Sequence, residues 1–225
     1  MGEIGKKIRE KDIGTTGIGA MIVFIAIVLV AGIAASVLIQ TSLKLETQAM
    51  STGQQTIGEV ATGVAVTGIE GYNFTDQGKI YWMAIGVRAR AGSQDIDLGK
   101  AVIEISDSGT KNFLTYDSGC FTDESTLATA GNIFKGGNAS TSFYPDNATQ
   151  FGIIVLEDAD SSVDSSTPVI NKGDHVLLTV NVSQCFEGID ERTDVFGMVI
   201  PEHGSPGMIS FTAPAAINVK VIELQ

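Results

Sequence analysis

The chain has 225 residues, of which 26 are acidic, 14 are basic and two are cysteines. A formal charge of −12 argues against a nucleic-acid binder, because such a protein needs a basic face to neutralise phosphates. A hydrophobic share of 44% with only 18% charged residues excludes a disordered chain and predicts folded structure.

A long uncharged segment near the N-terminus indicates a membrane-compatible helix. Residues 1–14 carry four basic and three acidic side chains, and the 22 residues from Ile18 to Ile39 carry no charge. A helix of that length spans roughly 33 Å, which is enough to cross a bilayer. The basic cluster before the segment predicts that the N-terminus starts in the cytoplasm and that the rest is exported.

Three interpretations of this segment compete. A secretory signal would be cut near Ala35 and Ser36, but its apolar part is usually only about 7–15 residues long. A permanent membrane anchor and a helix that later leaves the membrane for a polymer share the same composition. Periodicity alone does not separate the last two.

The helix is predicted to continue beyond the apolar run. The first proline is Pro145, and Leu43, Met50, Ile57 and Val64 recur every seven residues, which places them on one helical stripe. We therefore predict one helix over residues 15–70.

The remainder, residues 71–225, shows the period of two that is typical of strands. Turn residues separate the apolar segments, and the stretch 107–150 is predicted to form surface loops or a small insertion. We predict an α+β chain in which the helix precedes an antiparallel, immunoglobulin-like β-sandwich. The predicted strands are Ile80–Val87, Ala101–Ser106, Phe151–Leu156, His175–Val182, Val195–Ile200, Met208–Thr212 and Ile217–Leu224.

Both ends of the chain resemble a known family. The N-terminal stretch Asp12–Thr41 and the Gln-rich Thr52–Thr56 closely resemble archaellins, the subunits of the archaeal swimming filament. The C-terminal stretches Val195–Thr212 and Glu223–Gln225 are similar to archaellins too.

The resemblance implies that a type IV prepilin-like peptidase cuts between Gly14 and Thr15. Residues 1–14 would be a removed leader, and the apolar helix would stay in the product. Bacterial type IV pilins usually carry a glutamate at the fifth mature position, which here is Gly19. No ion pair would then set the register of the helices, so packing would have to set it.

Four Asn-X-Ser/Thr motifs are candidate N-glycosylation sites in an exported chain. Asn138 and Asn147 lie in the polar loop region, Asn181 is predicted on the polar face of a strand, and Asn73 lies where the helix meets the sandwich.

Cys120 and Cys185 are the two cysteines. Outside the cell, an even pair favours a disulfide, and closing a loop of this length would contribute roughly 4 kcal/mol in the chain-entropy model. The alternative is two buried free thiols that act as small hydrophobic side chains.

Catalytic and cofactor signals are weak. Loops with Asp95 and Asp97, and with Asp158, Asp160 and Asp164, could attract Ca²⁺, but Ca²⁺ needs 6–8 oxygen ligands and the EF-hand order is absent, so a solvated acidic surface is the favoured interpretation. The sequence contains no phosphate-binding loop, nucleophile elbow or triad spacing. We expect no enzyme, no cofactor and no catalytic residue, and a surface Ca²⁺ is the alternative.

The predicted function is a structural subunit of the archaellum that polymerises through its N-terminal helix. Its partners would be copies of itself and other archaellins, the prepilin-like peptidase, and the membrane before assembly, with an extracellular filament as the final location. The alternative function is a membrane-retained β-sandwich protein that anchors a filament motor or binds the cell envelope.

Overall fold

The computed structural model describes residues 3–75, 78–134 and 143–225, with side chains from residue 16 onward. It divides into two compact units, residues 1–55 and residues 56–225. The first unit consists of most of a helix, α1 (Glu3–Ala61), and the second contains the end of that helix and all the described strands.

Helix α1 ends at Ala61, so the predicted boundary at residue 70 is wrong. The backbone N–H of Thr62 still donates to the carbonyl of Gly58 (2.8 Å), but the N–H of Val64 donates to the carbonyl of Ser205, in the turn between Ile200 and Gly207 (3.1 Å). Val64 is fully buried there. The seven-residue stripe therefore ends at Ile57, because pairing with a distant strand outweighs the local helical pattern at Val64.

The second unit is built almost entirely of strands, with two short helices, α2 (Glu124–Ala130) and α3 (Val182–Phe186), and one 3₁₀ turn (Leu98–Lys100). The strands of the described residues are β1 Val64–Tyr72, β2 Lys79–Ile80, β3 Trp82–Ala89, β4 Ile96–Asp97, β5 Val102–Ser106, β6 Lys111–Thr122, β7 Gln150–Glu157, β8 Val169–Ile170, β9 His175–Asn181, β10 Ile189–Asp190, β11 Asp194–Ile200, β12 Gly207–Thr212 and β13 Val221–Glu223.

Nine of these strands form one sheet in the order β12-β11-β5-β6-β7-β9-β3-β1-β13. All neighbours are antiparallel except β6 and β7, which run parallel and are joined through α2. Buried side chains from all nine strands belong to one apolar core, so the sheet folds over on itself. The prediction of a mostly antiparallel β domain after the helix is confirmed; the main sheet contains one parallel pair, and the other four strands form two short antiparallel pairs, β2 with β10 and β4 with β8.

The stretch 107–150 is not only loops, because it contains β6 and α2. Strand β6 is rich in polar residues, yet its backbone pairs with β5 on one side and β7 on the other. Polar residues can supply backbone hydrogen bonds as well as apolar ones, which explains why apolar periodicity did not reveal this strand.

The predicted polar face of β9 is buried. The side chain of Thr179 donates to the carbonyl of Phe143 (2.5 Å), and the Asn181 amide donates to the carbonyl of Pro145 (2.9 Å). A second apolar cluster covers this face and is formed by Ala84, Phe134, Phe143, Tyr144, Ile154 and Leu177. The two polar side chains therefore fix a covering segment to the sheet instead of facing solvent.

We predict that Asn181→Ala lowers the free energy of unfolding of the full-length chain by about 1–3 kcal/mol, because it leaves the buried carbonyl of Pro145 without its donor. Urea unfolding in detergent, followed by far-UV circular dichroism, measures the change. The matched control is Asn147→Ala, an exposed Asn of the same sequence motif, for which we expect a change within about 0.5 kcal/mol. Equal effects of the two variants would contradict the assigned role of Asn181.

Candidate assembly surface

The apolar part of α1 exposes its side chains on every side. Phe24 is 67% exposed, Ile27 is 61% exposed and Leu38 is 69% exposed. A helix that is apolar all round is stable only inside a protein assembly or a lipid bilayer. This segment is therefore a surface that requires a covering partner.

Length and composition also make this helix a candidate membrane span. The helical stretch Thr16–Ala61 contains an 18-residue window with a mean hydropathy of 3.1, none of which is buried within the chain. Thr41 follows the apolar run. Its hydroxyl donates to the backbone carbonyls of Val37 (2.9 Å) and Leu38 (3.0 Å) of the same helix. Internal bonding of this hydroxyl makes its presence in an apolar setting less unfavourable.

Small residues create shallow apolar grooves between the larger side chains of α1. One groove is lined by Val23, Ala26, Ile27, Val30, Ala31 and Ala34, and another includes Gly19 and Ala20. Small side chains permit a neighbouring helix to approach closely, and packing of this kind drives association where lipid is the competing environment. The surface can therefore bind another helix without charged groups.

The predicted cleavage site, between Gly14 and Thr15, lies within the backbone of α1, which begins at Glu3. Only the backbone of the leader is described, because the described side chains begin at residue 16.

The candidate glycosylation sites differ sharply in exposure. Asn73 is 1% exposed and Asn181 is 4% exposed, whereas Asn147 is exposed. The Oδ1 atom of Asn147 accepts hydrogen bonds from the backbone and the hydroxyl of Thr149 (3.3 and 3.1 Å), which leaves its amide nitrogen free of those bonds. Asn138 lies outside the described residues. Burial therefore makes Asn73 and Asn181 unsuitable as acceptors in the folded chain.

Both cysteines are free thiols in the structure, so the predicted Cys120–Cys185 disulfide is not present in it. Cys120 lies on β6 with its sulfur 3.8 Å from a carboxylate oxygen of Asp117, whereas the Cys185 sulfur, on α3, lies 3.4 Å from the carbonyl oxygen of Ala148. Each thiol thus has its own neighbours. Burial raises the pKa of Cys120 to about 11, with Asp117 adding to the shift, and burial raises the pKa of Cys185 to about 11.

The acidic loops do not meet as one group. Asp158 and Asp160 lie close to Asp174, with one carboxylate oxygen of each within 4.8 Å of the others. Asp164 instead accepts bonds from Ser165 and Ser166. Asp97 accepts a bond from the Gly99 N–H and pairs with Lys100 at 3.6 Å, so it caps the 3₁₀ turn.

Asp158, Asp160 and Asp174 are the described carboxylates best placed to contribute to a cation site. Hydrogen bonds already hold them: Asp174 accepts from the backbone N–H groups of Asn171 (2.8 Å) and Ala159 (3.0 Å). Bonds from Ser162 and Asn171 lower the pKa of Asp160. Sequence analysis missed Asp174, although the turn residues before it were a usable signal that the chain folds back there.

Comparison with known proteins identifies the family. A family profile described as archaeal-type flagellin matches residues 14–211. Flagellin B2 of Methanocaldococcus jannaschii is 44% identical over 214 residues, covering 94% of this chain and 95% of that protein. The chain belongs to the archaeal-type flagellins. Flagellin B3 of Thermococcus kodakarensis is similar as well, at 38% identity over 254 residues, with 96% of this chain and 98% of that protein covered.

Solved structures agree with this membership. The crystal structure of flagellin FlaB1 from Methanocaldococcus jannaschii matches with a TM-score of 0.61 at 32% identity, covering 73% of this chain and 98% of that chain. A chain of the archaeal flagellum of Methanospirillum hungatei matches with a TM-score of 0.59 at 13% identity, covering 92% of this chain and 98% of that chain, and shares the fold.

This flagellin chain is therefore a structural subunit of the archaellum, and the family is one of structural proteins that build an extracellular filament. The predicted family and function are confirmed. The membership favours the filament over a membrane-retained anchor for a motor.

We predict that both thiols react slowly with iodoacetamide at pH 8 while the chain is folded. A pKa of about 11 leaves ~100-fold less thiolate than an unperturbed cysteine has, and the thiolate is the nucleophile. Mass spectrometry after alkylation without reductant should show slow labelling of folded protein and rapid double labelling in 6 M guanidinium. Failure to label the denatured, unreduced chain would instead demonstrate the disulfide.

Proposed function

We propose that the uncharged part of α1 forms the core of the archaellum filament after removal of residues 1–14. The observation that carries the proposal is the complete exposure of an apolar helix in a chain that belongs to a filament-forming family. Before assembly, lipid covers this surface, and the precursor is inserted in the membrane. In the filament, the helices of neighbouring copies and of other archaellins cover it.

The free energy of assembly depends on replacing lipid by protein around the apolar helix. Lipid tails are as apolar as the helix, so leaving the membrane gains little from hydrophobic transfer itself. Closer packing between helices and the work of the assembly machinery must favour the filament. The shallow grooves beside Gly19, Ala26 and Ala34 support this account, since they permit close approach.

Processing of the leader is part of the proposal. A prepilin-like peptidase would cut after Gly14, so the apolar run remains in the mature subunit. The charged residues of the leader, including Lys6, Lys7 and Arg9, would otherwise have to enter a core without water.

We predict that mature subunits from sheared filaments begin with Thr15-Thr16-Gly17-Ile18 when sequenced from the N-terminus. This start retains the whole apolar segment and removes the charged leader. A start at Ser36 would establish a secretory signal peptide and overturn the filament-core assignment.

We predict that Ile27→Asp abolishes filaments. An unpaired charge in a core without water costs several kcal/mol per subunit, and a helical polymer repeats that cost in every copy. Electron microscopy of cell surfaces measures filament number, and Ile27→Leu, which keeps volume and polarity, is the matched control with normal filaments. Detergent-purified Ile27→Asp should retain the wild-type thermal transition of the β domain, since Ile27 belongs to the other unit. Normal filaments from Ile27→Asp would show that this segment is outside the core.

We predict an N-linked glycan on Asn147 in filaments from the native organism, and none on Asn73 or Asn181. Only Asn147 among these three has an exposed side chain. Peptide fragmentation by mass spectrometry locates the modification, and Asn147→Gln should remove it with the corresponding loss of intact mass. A modified Asn73 or Asn181 in folded subunits would contradict the burial argument.

A further inference from the structure

An open groove lies on the outer face of the sheet. The second apolar cluster covers one end of this face, around Trp82 and Leu177. At the other end, beside β1, the end of β3 and the start of β9, an open groove of about 900 Å³ remains. Ala65 and Thr67 contribute small side chains to the groove. The Thr67 hydroxyl lies 2.9 Å from Nε2 of His175, so this histidine is held within the groove.

Three cationic side chains line this groove: Arg88, Arg90 and Lys172. All three are exposed, and none of them forms an ion pair within the described part of the chain. Arg90 is held in place by the carbonyls of Val64 (3.2 Å) and Pro206 (3.4 Å).

Two carboxylates also line the groove, but neither forms an ion pair with its three cations. Asp174 is buried, and its oxygens accept hydrogen bonds from the backbone N–H groups of Ala159 and Asn171. Glu157 is exposed at the margin. Elsewhere in the domain, Lys79 pairs with Asp190 at 3.1 Å and Lys100 pairs with Glu202 at 3.0 Å.

The groove carries three cations in a unit whose net charge is strongly negative. Residues 56–225 carry 22 acidic and 9 basic side chains, so copies of this unit repel one another. In a helical filament, each subunit contacts the next through two different surfaces of the same chain. A basic groove on one copy can therefore meet a carboxylate-rich surface on its neighbour, which offsets the repulsion where the two approach.

We propose that this basic groove binds an acidic surface of the next copy of the chain in the filament. The inference rests on the filament function. Arg88 and Lys172 supply the mobile cations, and Arg90, fixed by its backbone bonds, supplies a positioned one. The packing of the apolar helices holds the subunits together, and this contact would fix how neighbouring β domains are oriented. Complementary charges do this because they fix register and disfavour wrong pairings.

Isotope-resolved cross-linking tests the occupant directly. Filaments are grown from a mixture of ¹⁴N-labelled and ¹⁵N-labelled subunits and treated with a carbodiimide, which joins a lysine to a carboxylate only in direct contact. We expect peptides that join Lys172 of one isotope to an Asp or Glu of the other. These peptides should be absent from detergent-solubilised monomers. Cross-links confined to a single chain, attachment to an envelope polymer, or no Lys172 cross-link would each overturn the proposal.

Charge reversal tests the consequence for assembly. We expect Arg88→Glu combined with Lys172→Glu to raise the subunit concentration needed for polymerisation by at least ~10-fold, equivalent to about 1.4 kcal/mol per contact. The matched control combines Arg192→Glu with Lys220→Glu, two exposed cations outside the groove, with the same change in net charge. Polymerisation of the groove variant equal to that of the control would overturn the proposal.

Two further measurements separate the causes of failure. Thermal unfolding of the full-length groove variant in detergent should match that of the control variant, which would exclude misfolding as the cause of poor polymerisation. If the two variants differ in stability, the cross-links in wild-type filaments test the groove contact instead. Failure of wild-type subunits to form filaments would contradict the filament function itself. Normal wild-type filaments without intersubunit Lys172 cross-links would contradict only the groove assignment.

Discussion

The uncharged surface of α1 is the constraint on which the rest of the molecule depends. The chain exposes a run of apolar side chains for which contact with water is unfavourable, and none of the described residues buries it. Lipid and copies of the same helix are the environments that can. In the proposed assembly, the subunit passes from lipid to the filament after its charged leader is removed.

The β domain meets a different requirement, since it must remain folded in water. Its sheet turns over so that side chains from all nine strands of the main sheet enclose one core. Residues far apart in sequence close it: the N–H of Val64 bonds Ser205, and the N–H of Leu224 bonds Ile69. The C-terminal strand β13 thus pairs with β1, the strand that directly follows the helix.

Charge is divided between the two units in keeping with these roles. Residues 13–43 carry no charge, and residues 56–225 carry most of the acidic side chains. An acidic exterior keeps subunits and filaments soluble but makes neighbouring domains repel each other. One groove is a local exception to this acidity, because it is lined by Arg88, Arg90 and Lys172. In a protein that builds a filament, such a groove offers an attractive contact between neighbouring domains.

Local sequence determined those features that depend on neighbours in the chain. The apolar run, the absence of proline before Pro145 and the alternating strands such as β5, β7 and β11 follow from side-chain periodicity and backbone chemistry. The motif at Gly14 and the C-terminal segment that is similar to archaellins were sufficient to identify the family from the sequence. Tertiary structure alone decided where α1 ends, because Val64 fits a helical and an extended pattern, and its pairing with Ala89 of β3 and its bond to Ser205 select the extended one. It also decided that Asn181 is buried, that the cysteines are free thiols and that Asp174, not Asp164, joins Asp158 and Asp160. Each of these depends on contacts between distant segments, and residue spacing along the chain carries no information about such contacts.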